Sequence, residues 1–130
     1  MNNSRWFFGR LFRKMRTRRI ASQGDAAPTA VSAEVGIVDG STLIVVFSRN
    51  IIKASGAYKD GWSVSKNGSG DTITLGALAG LHRLAFALTS AVVAGDTVTV
   101  SYSAAGGHIT SEAGTILANI TNKAVTNNVA

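Results

Sequence analysis

The sequence contains no cysteine at any of its 130 positions. Disulfide frameworks, thiolate zinc sites, iron–sulfur clusters and cysteine nucleophiles all need that residue, so each of these is excluded. No apolar run reaches the ~18 residues that a transmembrane helix needs. Only 15% of the residues are charged and 45% are hydrophobic, which is too apolar for an intrinsically disordered chain. Length and composition together predict one small, non-membrane globular domain.

Acidic residues are missing from the first 20 positions, which hold seven of the 13 basic residues. The rest of the chain holds six basic and all seven acidic residues, so it is close to neutral. The net charge of +6 therefore belongs to an N-terminal arm, residues 1–20, and not to the domain that follows. We do not expect the domain itself to present a basic face of the kind that binds nucleic acid.

The arm has the pattern of a cationic amphipathic helix. Phe8, Leu11, Phe12 and Met15 recur at helical spacing on one face, and Ser4 is a suitable N-cap. The basic residues fall off that face. The residues that we expect to contact a partner are Trp6, Phe7, Phe8, Arg10, Leu11, Phe12, Arg13, Met15, Arg16, Arg18 and Arg19.

An isolated helix of this length is marginal in water, so the arm needs a surface to lie on. Three surfaces fit its chemistry: a groove on a protein partner, an anionic membrane, and the phosphates of nucleic acid. A solvated terminus without fixed structure is the fourth alternative.

We do not expect a secretory signal, because Arg10 interrupts the apolar run. A twin-arginine signal is not expected either, because no apolar stretch follows Arg18-Arg19.

Residues 21–30 are small and polar and include the single proline, Pro28, so they are interpreted as a linker. From Val31 onward the hydrophobic period changes to two, which indicates β-strands. Asp39-Gly40 is a hairpin signal. The predicted strands are 31–37, 42–47, 62–66, 71–75, 84–88, 97–102 and 119–127. Seven short strands separated by turn signals predict an all-β sandwich over residues 31–130.

The run Ala94-Gly95-Asp96-Thr97-Val98-Thr99-Val100-Ser101-Tyr102 resembles the Swm-type repeat, with 43–48 before it and 123–128 after it. These repeats are Ig-like modules strung along very large bacterial surface proteins, and related Ig-like modules decorate tailed-phage particles. The resemblance covers roughly residues 31–128. It implies an Ig-like antiparallel β-sandwich of about seven strands, here preceded by the basic amphipathic arm.

Two departures from the family pattern matter. Arg49-Asn50-Ile51 stands where family members carry an acidic residue and a proline, and the acidic turn before the last strand is reduced to 111–115. A calcium site is therefore not expected, since hard cations need several carboxylates together. A single module behind a cationic arm, with its own start methionine, favours a stand-alone subunit over a fragment of an adhesin.

Catalytic and metal-binding patterns are missing. His82 and His108 lie in turn-like segments with no acid nearby in sequence, and no nucleophile-elbow motif occurs. We expect exposed loop histidines, no cofactor, no metal and no enzymatic activity. Tyr58 and Trp62 are candidate glycan contacts, although Trp62 also stands where an Ig-like core tryptophan would lie. Tyr102 is interpreted as a core residue.

The leading hypothesis is a non-enzymatic structural protein of a virion. In it, an Ig-like decoration or accessory subunit is held in many copies on a phage capsid or tail protein by its arm, outside the particle, where the domain contacts host-surface glycans. One alternative is an exported carbohydrate-binding or adhesin module at the cell surface or outside the cell. A second alternative is an arm that binds anionic membrane or nucleic acid, with a passive β domain.

Overall fold

The computed structural model describes residues 26–130, so the predicted arm and most of the predicted linker lie outside the described residues. The described chain is built from ten strands and contains no helix. The strands are β1 (Ala30–Val35), β2 (Thr42–Phe47), β3 (Ile51–Lys53), β4 (Trp62–Lys66), β5 (Ser69–Asp71), β6 (Ile73–Gly80), β7 (Arg83–Leu88), β8 (Val98–Tyr102), β9 (Ile109–Ser111) and β10 (Ile120–Asn127).

Eight strands form one curled sheet in the order β5-β4-β8-β10-β1-β2-β7-β6, and β3 and β9 form a second, two-stranded sheet. The curl places the two halves of the large sheet face to face. Trp62 of β4 therefore packs on Phe47 of β2 and Phe86 of β7, with ring centroids 6.1 and 5.1 Å apart. The predicted all-β sandwich is confirmed. One strand pair, β1 with β10, is parallel, whereas the other described pairs are antiparallel.

The core lies between the two halves of the large sheet and follows the period of two. On β2, Leu43, Val45 and Phe47 are buried, while Ile44 and Val46 between them are half-buried. This alternation arises because successive side chains of a strand point to opposite faces. The core residues lie in all ten strands except β5, with Val92 and Leu117 contributed by loops.

The turn between β4 and β5 follows from its sequence. Asn67 and Gly68 have φ values of 54° and 84°, so both central residues are left-handed. This is the type I′ geometry that Asn-Gly favours, and it pairs Lys66 with Ser69.

The turn between β1 and β2 is longer than the Asp39-Gly40 signal predicted. The strands separate after Val35, which pairs with Leu43, and the positive φ of 92° falls on Gly36 instead of Gly40. Asp39 Oδ1 accepts hydrogen bonds from the Ser41 N–H at 2.8 Å and the Thr42 hydroxyl at 3.0 Å. Asp39 thus stabilises a wide loop, and Ile37, predicted as a strand residue, lies exposed in it.

Three strands were not predicted, namely β3, β5 and β9, which have three residues each. Such short segments show no alternation, so no period can identify them.

The folded part also begins earlier than the predicted boundary at residue 31. Pro28 is fully buried, and the N–H of Thr29 donates to Ser48 Oγ at 3.0 Å. Pro28–Ala30 therefore belong to the fold and not to the linker.

The parallel pairing of β1 with β10 sets where the chain enters and leaves. Both strands run in the same direction, with Glu34 opposite Thr126 and Val35 opposite Asn127. The chain therefore enters the sandwich at one end, the N-terminal pole, and leaves it at the other, the C-terminal pole. Segments 28–29, 48–50, 81–82 and 112–119 lie at the N-terminal pole, and 36–41, 67–68, 89–97 and 128–130 lie at the C-terminal pole.

Candidate functional site

All eleven partner-binding residues predicted in the arm, from Trp6 to Arg19, lie outside the described residues. Their role stays a prediction. The described part of the chain nevertheless contains no helix long and apolar enough to cross a membrane.

Trp62 is a core residue. Its side chain is only 8% exposed, and its ring packs against Phe47, Phe86 and Tyr102, with centroids 6.1, 5.1 and 4.7 Å away. No ring face is free for a sugar to stack on, so the suggested glycan contact at Trp62 is wrong and the core interpretation holds. Tyr102 is likewise buried, as predicted.

Tyr58, the second candidate glycan contact, is half-buried and packs against the edge of the core. The ammonium of Lys53 lies 5.1 Å from the centroid of its ring, a cation–π distance. A glycan hypothesis therefore rests on Tyr58 alone. A shallow depression of about 400 Å³, lined by 59–63 and 71–73, lies next to it in sequence.

His108 is not the isolated loop histidine that the sequence suggested. Its Nε2 lies 3.3 Å from Asp60 Oδ2, and its Nδ1 lies 3.2 Å from Ser55 Oγ. Sequence spacing could not reveal this, because the 54–61 loop and the segment before β9 meet only in the fold. The same Asp60 oxygen accepts the N–H of Ala57 at 3.0 Å.

The Ser55–His108–Asp60 cluster holds the 54–61 loop against the segment before β9. A Cβ on Gly56 would come within 2.5 Å of the His108 ring, so the loop must have glycine there, where φ is +59°. The order of serine, imidazole and carboxylate is that of a hydrolytic triad, but that chemistry also needs a substrate cavity and an oxyanion site. Neither depression described on the surface is lined by Ser55 or His108. Within residues 26–130, no three His, Asp or Glu side chains are grouped to hold a metal.

Charge is separated between the two poles. Residues 26–130 carry six basic and six acidic side chains, and Lys59 and Asp60 are adjacent. Apart from these two, the strand positions place four basic residues and one acidic residue towards the N-terminal pole. They place four acidic residues and one lysine towards the C-terminal pole. The N-terminal set is Arg49, Lys53, Arg83, Lys123 and Glu112, and the C-terminal set is Glu34, Asp39, Asp71, Asp96 and Lys66.

The C-terminal pole also exposes aliphatic side chains. Ile37 is 58% exposed, Val38 69% and Val93 58%. The loops that carry them are joined, since the Val92 N–H donates to the carbonyl of Gly40 at 2.7 Å. The side-chain amide of Asn127 donates to the carbonyl of Val93 at 2.9 Å and fixes the same loop to the end of β10. This pole is therefore a fixed, acidic and partly apolar surface.

At the N-terminal pole, a depression of about 410 Å³ lies where the chain enters the fold. Its lining includes Pro28, Leu117, Ile120 and Lys123. Leu81 and Ile116, at the same pole, are 68% and 65% exposed. Both poles thus expose aliphatic residues, but only the C-terminal pole combines them with an excess of acids.

No family model matches the sequence, and no curated protein matches it. Among solved structures, the N-terminal part of the bacterial S-layer protein SbsC is similar over 92% of this chain, with a TM-score of 0.69 and 20% identity. Another crystal structure of SbsC is similar over 90% of this chain, with a TM-score of 0.65 and 18% identity. A structure of domains 1–6 of SbsC gives 90% coverage, a TM-score of 0.65 and 19% identity.

The chain spans about 28% of the length of the first of these structures and 16% of the other two. At identities of 18–20% the likeness shows a shared fold and not a shared role. What this chain has in common with the S-layer protein is thus the architecture of a β-sandwich module that makes up a fraction of that longer protein.

Proposed function

We propose that this chain is a non-enzymatic structural module of a multi-copy protein assembly at the bacterial cell surface. The observation that supports the proposal most is the likeness to the S-layer protein SbsC over nine-tenths of the chain. The described surface fits such a role, since both poles expose aliphatic residues and the two poles carry an excess of opposite charge. The proposal favours the cell-surface alternative of the sequence analysis over the virion hypothesis.

Surface labelling of intact cells tests the location. An antibody against residues 26–130, used in immunogold electron microscopy on unpermeabilised cells, should decorate the envelope, and brief protease treatment of intact cells should remove the label. A cytoplasmic protein of the same cells serves as the protected control. Label found only after permeabilisation would contradict the proposal.

A virion decoration subunit is the second candidate, favoured by the arm, whose seven basic residues and aromatic face suit insertion into a shell or tail protein. Sedimentation of a phage lysate distinguishes the two. Co-sedimentation of the chain with intact particles, together with unlabelled cell envelopes, would support the virion role and reject the cell-surface role.

Glycan binding is a finer hypothesis that rests on Tyr58. Exposed aromatic rings stack on the apolar faces of sugars, and Tyr58 is the remaining predicted contact with a partly exposed ring. A glycan array with the full chain and with Tyr58→Ala tests it. Signals that persist unchanged in Tyr58→Ala would reject this contact.

A further inference from the structure

We infer that the basic arm of one copy docks on the C-terminal pole of the next copy, which joins the chains head to tail. The inference deepens the proposed function by naming the partner of the arm as a second copy of this chain. It rests on four observations: the charge of the pole, its exposed aliphatic residues, the positions at which the chain enters and leaves, and the charge of the N-terminal pole.

The first observation is complementary charge. Residues 1–20 carry seven basic groups and no acid. The C-terminal pole carries Asp39, which is exposed, and Asp96, which is half-exposed, with Glu34 and Asp71 further back. The lysine at this pole, Lys66, donates to Ser90 Oγ at 2.9 Å and to the Ala91 carbonyl at 3.2 Å and keeps its charge, so the four acids outnumber one base. The pole therefore attracts a cationic segment.

The second observation is complementary apolar surface. The arm presents Phe8 and Phe12 with Leu11 and Met15 at helical spacing, and such a face needs an apolar surface to cover it. Ile37, Val38 and Val93 supply that surface, more than half exposed and next to the acids. Apolar side chains surrounded by charges of the opposite sign are the arrangement in which amphipathic segments bind a protein groove.

The third observation concerns which copy supplies the arm. The arm is attached at the N-terminal pole, since Pro28 and Thr29 lie there. Residues 21–27, which precede the fold, extend over roughly 25 Å at most, at ~3.3–3.6 Å per residue. The eight-residue β10 alone runs for about 26 Å at ~3.3 Å per residue, so this segment could not lay the arm on its own C-terminal pole without being fully extended. The C-terminal pole of a neighbouring copy, placed end to end, adjoins the arm directly.

The fourth observation excludes the N-terminal pole, to which the arm is attached, as the docking surface of the arm. Arg49, Lys53, Arg83 and Lys123 outnumber the acid Glu112 in that half of the domain, so a cationic arm is repelled there. The contact is therefore between two different surfaces. A contact of this kind, repeated between copies placed end to end, extends into a chain of subunits unless the rotation between copies closes it into a ring.

The experiment is sedimentation velocity on the full chain at low salt over a hundredfold range of concentration. The unsubstituted chain should form progressively larger species. A pole variant, Ile37→Ser with Val38→Ser, and an arm variant, Phe8→Ala with Phe12→Ala, should each stay monomeric. The matched control is Leu81→Ser with Ile116→Ser, which changes equally exposed aliphatic residues at the other pole and should associate like the unsubstituted chain. Circular dichroism checks that each variant is folded.

Mixing the arm variant with the pole variant is the decisive step. The mixture holds one intact pole and one intact arm per pair, so it should give a one-to-one dimer that does not grow further. A contact that does not join the arm to the C-terminal pole, or an arm folded back on its own domain, cannot produce that dimer, and its absence would overturn the inference.

Other results would also overturn the inference. These are a monomeric unsubstituted chain at every concentration, or a Leu81/Ile116 control that fails to associate. A chain that forms larger complexes only with DNA or with anionic vesicles would show that the arm has one of those partners instead. Association through another surface would refute the inference and leave the proposed surface role standing, because the labelling of intact cells tests that separately.

Discussion

At the scale of single residues, the aromatic side chains between the sheet halves contribute most to packing. Trp62 has a ring neighbour on β2, on β7 and on β8, and its indole N–H is buried without a hydrogen-bond partner. Aromatic contacts at these distances add to the free energy of burial, while an unpaired buried donor costs part of it. Trp62 therefore stabilises the sandwich by packing alone.

Replacing Trp62 by alanine should lower the free energy of unfolding by about 3–5 kcal/mol, the usual loss for a buried aromatic residue. Trp62→Phe should lose less, because it also removes the unpaired N–H. Tyr58→Ala, a half-buried control from the loop that precedes β4, should have a smaller effect than Trp62→Ala. Urea unfolding followed by circular dichroism measures all three. A loss below about 1 kcal/mol for Trp62→Ala would be inconsistent with its place in the core.

The carboxylate of Asp96 accepts hydrogen bonds that hold the loops of the C-terminal pole together. Its Oδ2 accepts the N–H of Val93 at 2.9 Å, and its Oδ1 accepts the side-chain amide of Asn67 at 2.8 Å. The hydrogen bond from Val93 and then that from Asn67 hold the pKa of Asp96 below its ordinary value of 3.8, with a smaller contribution from Lys66. The carboxylate is thus more stable in the folded chain than in the unfolded one.

A depressed carboxyl pKa stabilises the fold above the ordinary value of 3.8, and this stability is lost as the pH falls through the lower folded value. We therefore expect the 93–97 loop to loosen below pH 3.8, measured as faster amide exchange at Val93. Asp96→Asn should remove this part of the pH dependence while other acid effects remain. An identical acid response in the variant would contradict the assignment.

At the scale of elements, patterned strands are predictable and short ones are not. β2 was predicted with its bounds, because a short apolar run rich in β-branched residues lies between Ser41 and Ser48. β3 and β9 were missed, since three residues show no period and their pairing, Ile51 with Ser111, joins distant parts of the chain. The side chain of Tyr102 ties this small sheet to β8, because its hydroxyl oxygen accepts the buried N–H of Ile109 at 3.1 Å.

Tyr102→Phe should lower the free energy of unfolding by about 1–3 kcal/mol, because the buried N–H of Ile109 would lose its acceptor. Tyr58→Phe serves as the matched control and should be nearly neutral, since no buried donor depends on its hydroxyl in the described hydrogen bonds. Thermal unfolding of both variants tests the difference. Equal stability of the two would show that the hydroxyl of Tyr102 does not support β9.

At the scale of the whole molecule, the parallel pairing of the first and last strands decides how the module connects to its surroundings. It places the chain entry and exit at opposite poles, and the charged residues divide between those poles with opposite signs. A module of this shape suits end-to-end arrangement.

Deletion of residues 1–20 should leave a folded β domain with nearly the same melting temperature. The reason is that the core between the sheet halves is formed by residues from Ala33 to Val125. The shortened chain should be monomeric and should not join its assembly. Calorimetry tests the first expectation and sedimentation the second. Unfolding of the shortened chain would show that the arm belongs to the core.

The sequence by itself determined the all-β class, the buried faces of β4, β7 and β8 and the separation of a basic arm from a neutral domain. These follow from composition and from periods of two and 3.6, which are local properties. The choice between a core position and a glycan contact for Trp62 could not be decided in this way, because an aromatic residue on a strand looks the same whether its face turns inward or outward.

Only the tertiary structure decided the features that depend on distant pairing. It brought Asp60 and Ser55 to His108, buried Trp62 among three rings, and made β1 parallel to β10. It also divided a nearly neutral set of charges into a basic and an acidic pole. Charge along a sequence gives only a sum, whereas the direction of each strand determines at which end of the sandwich each charge lies.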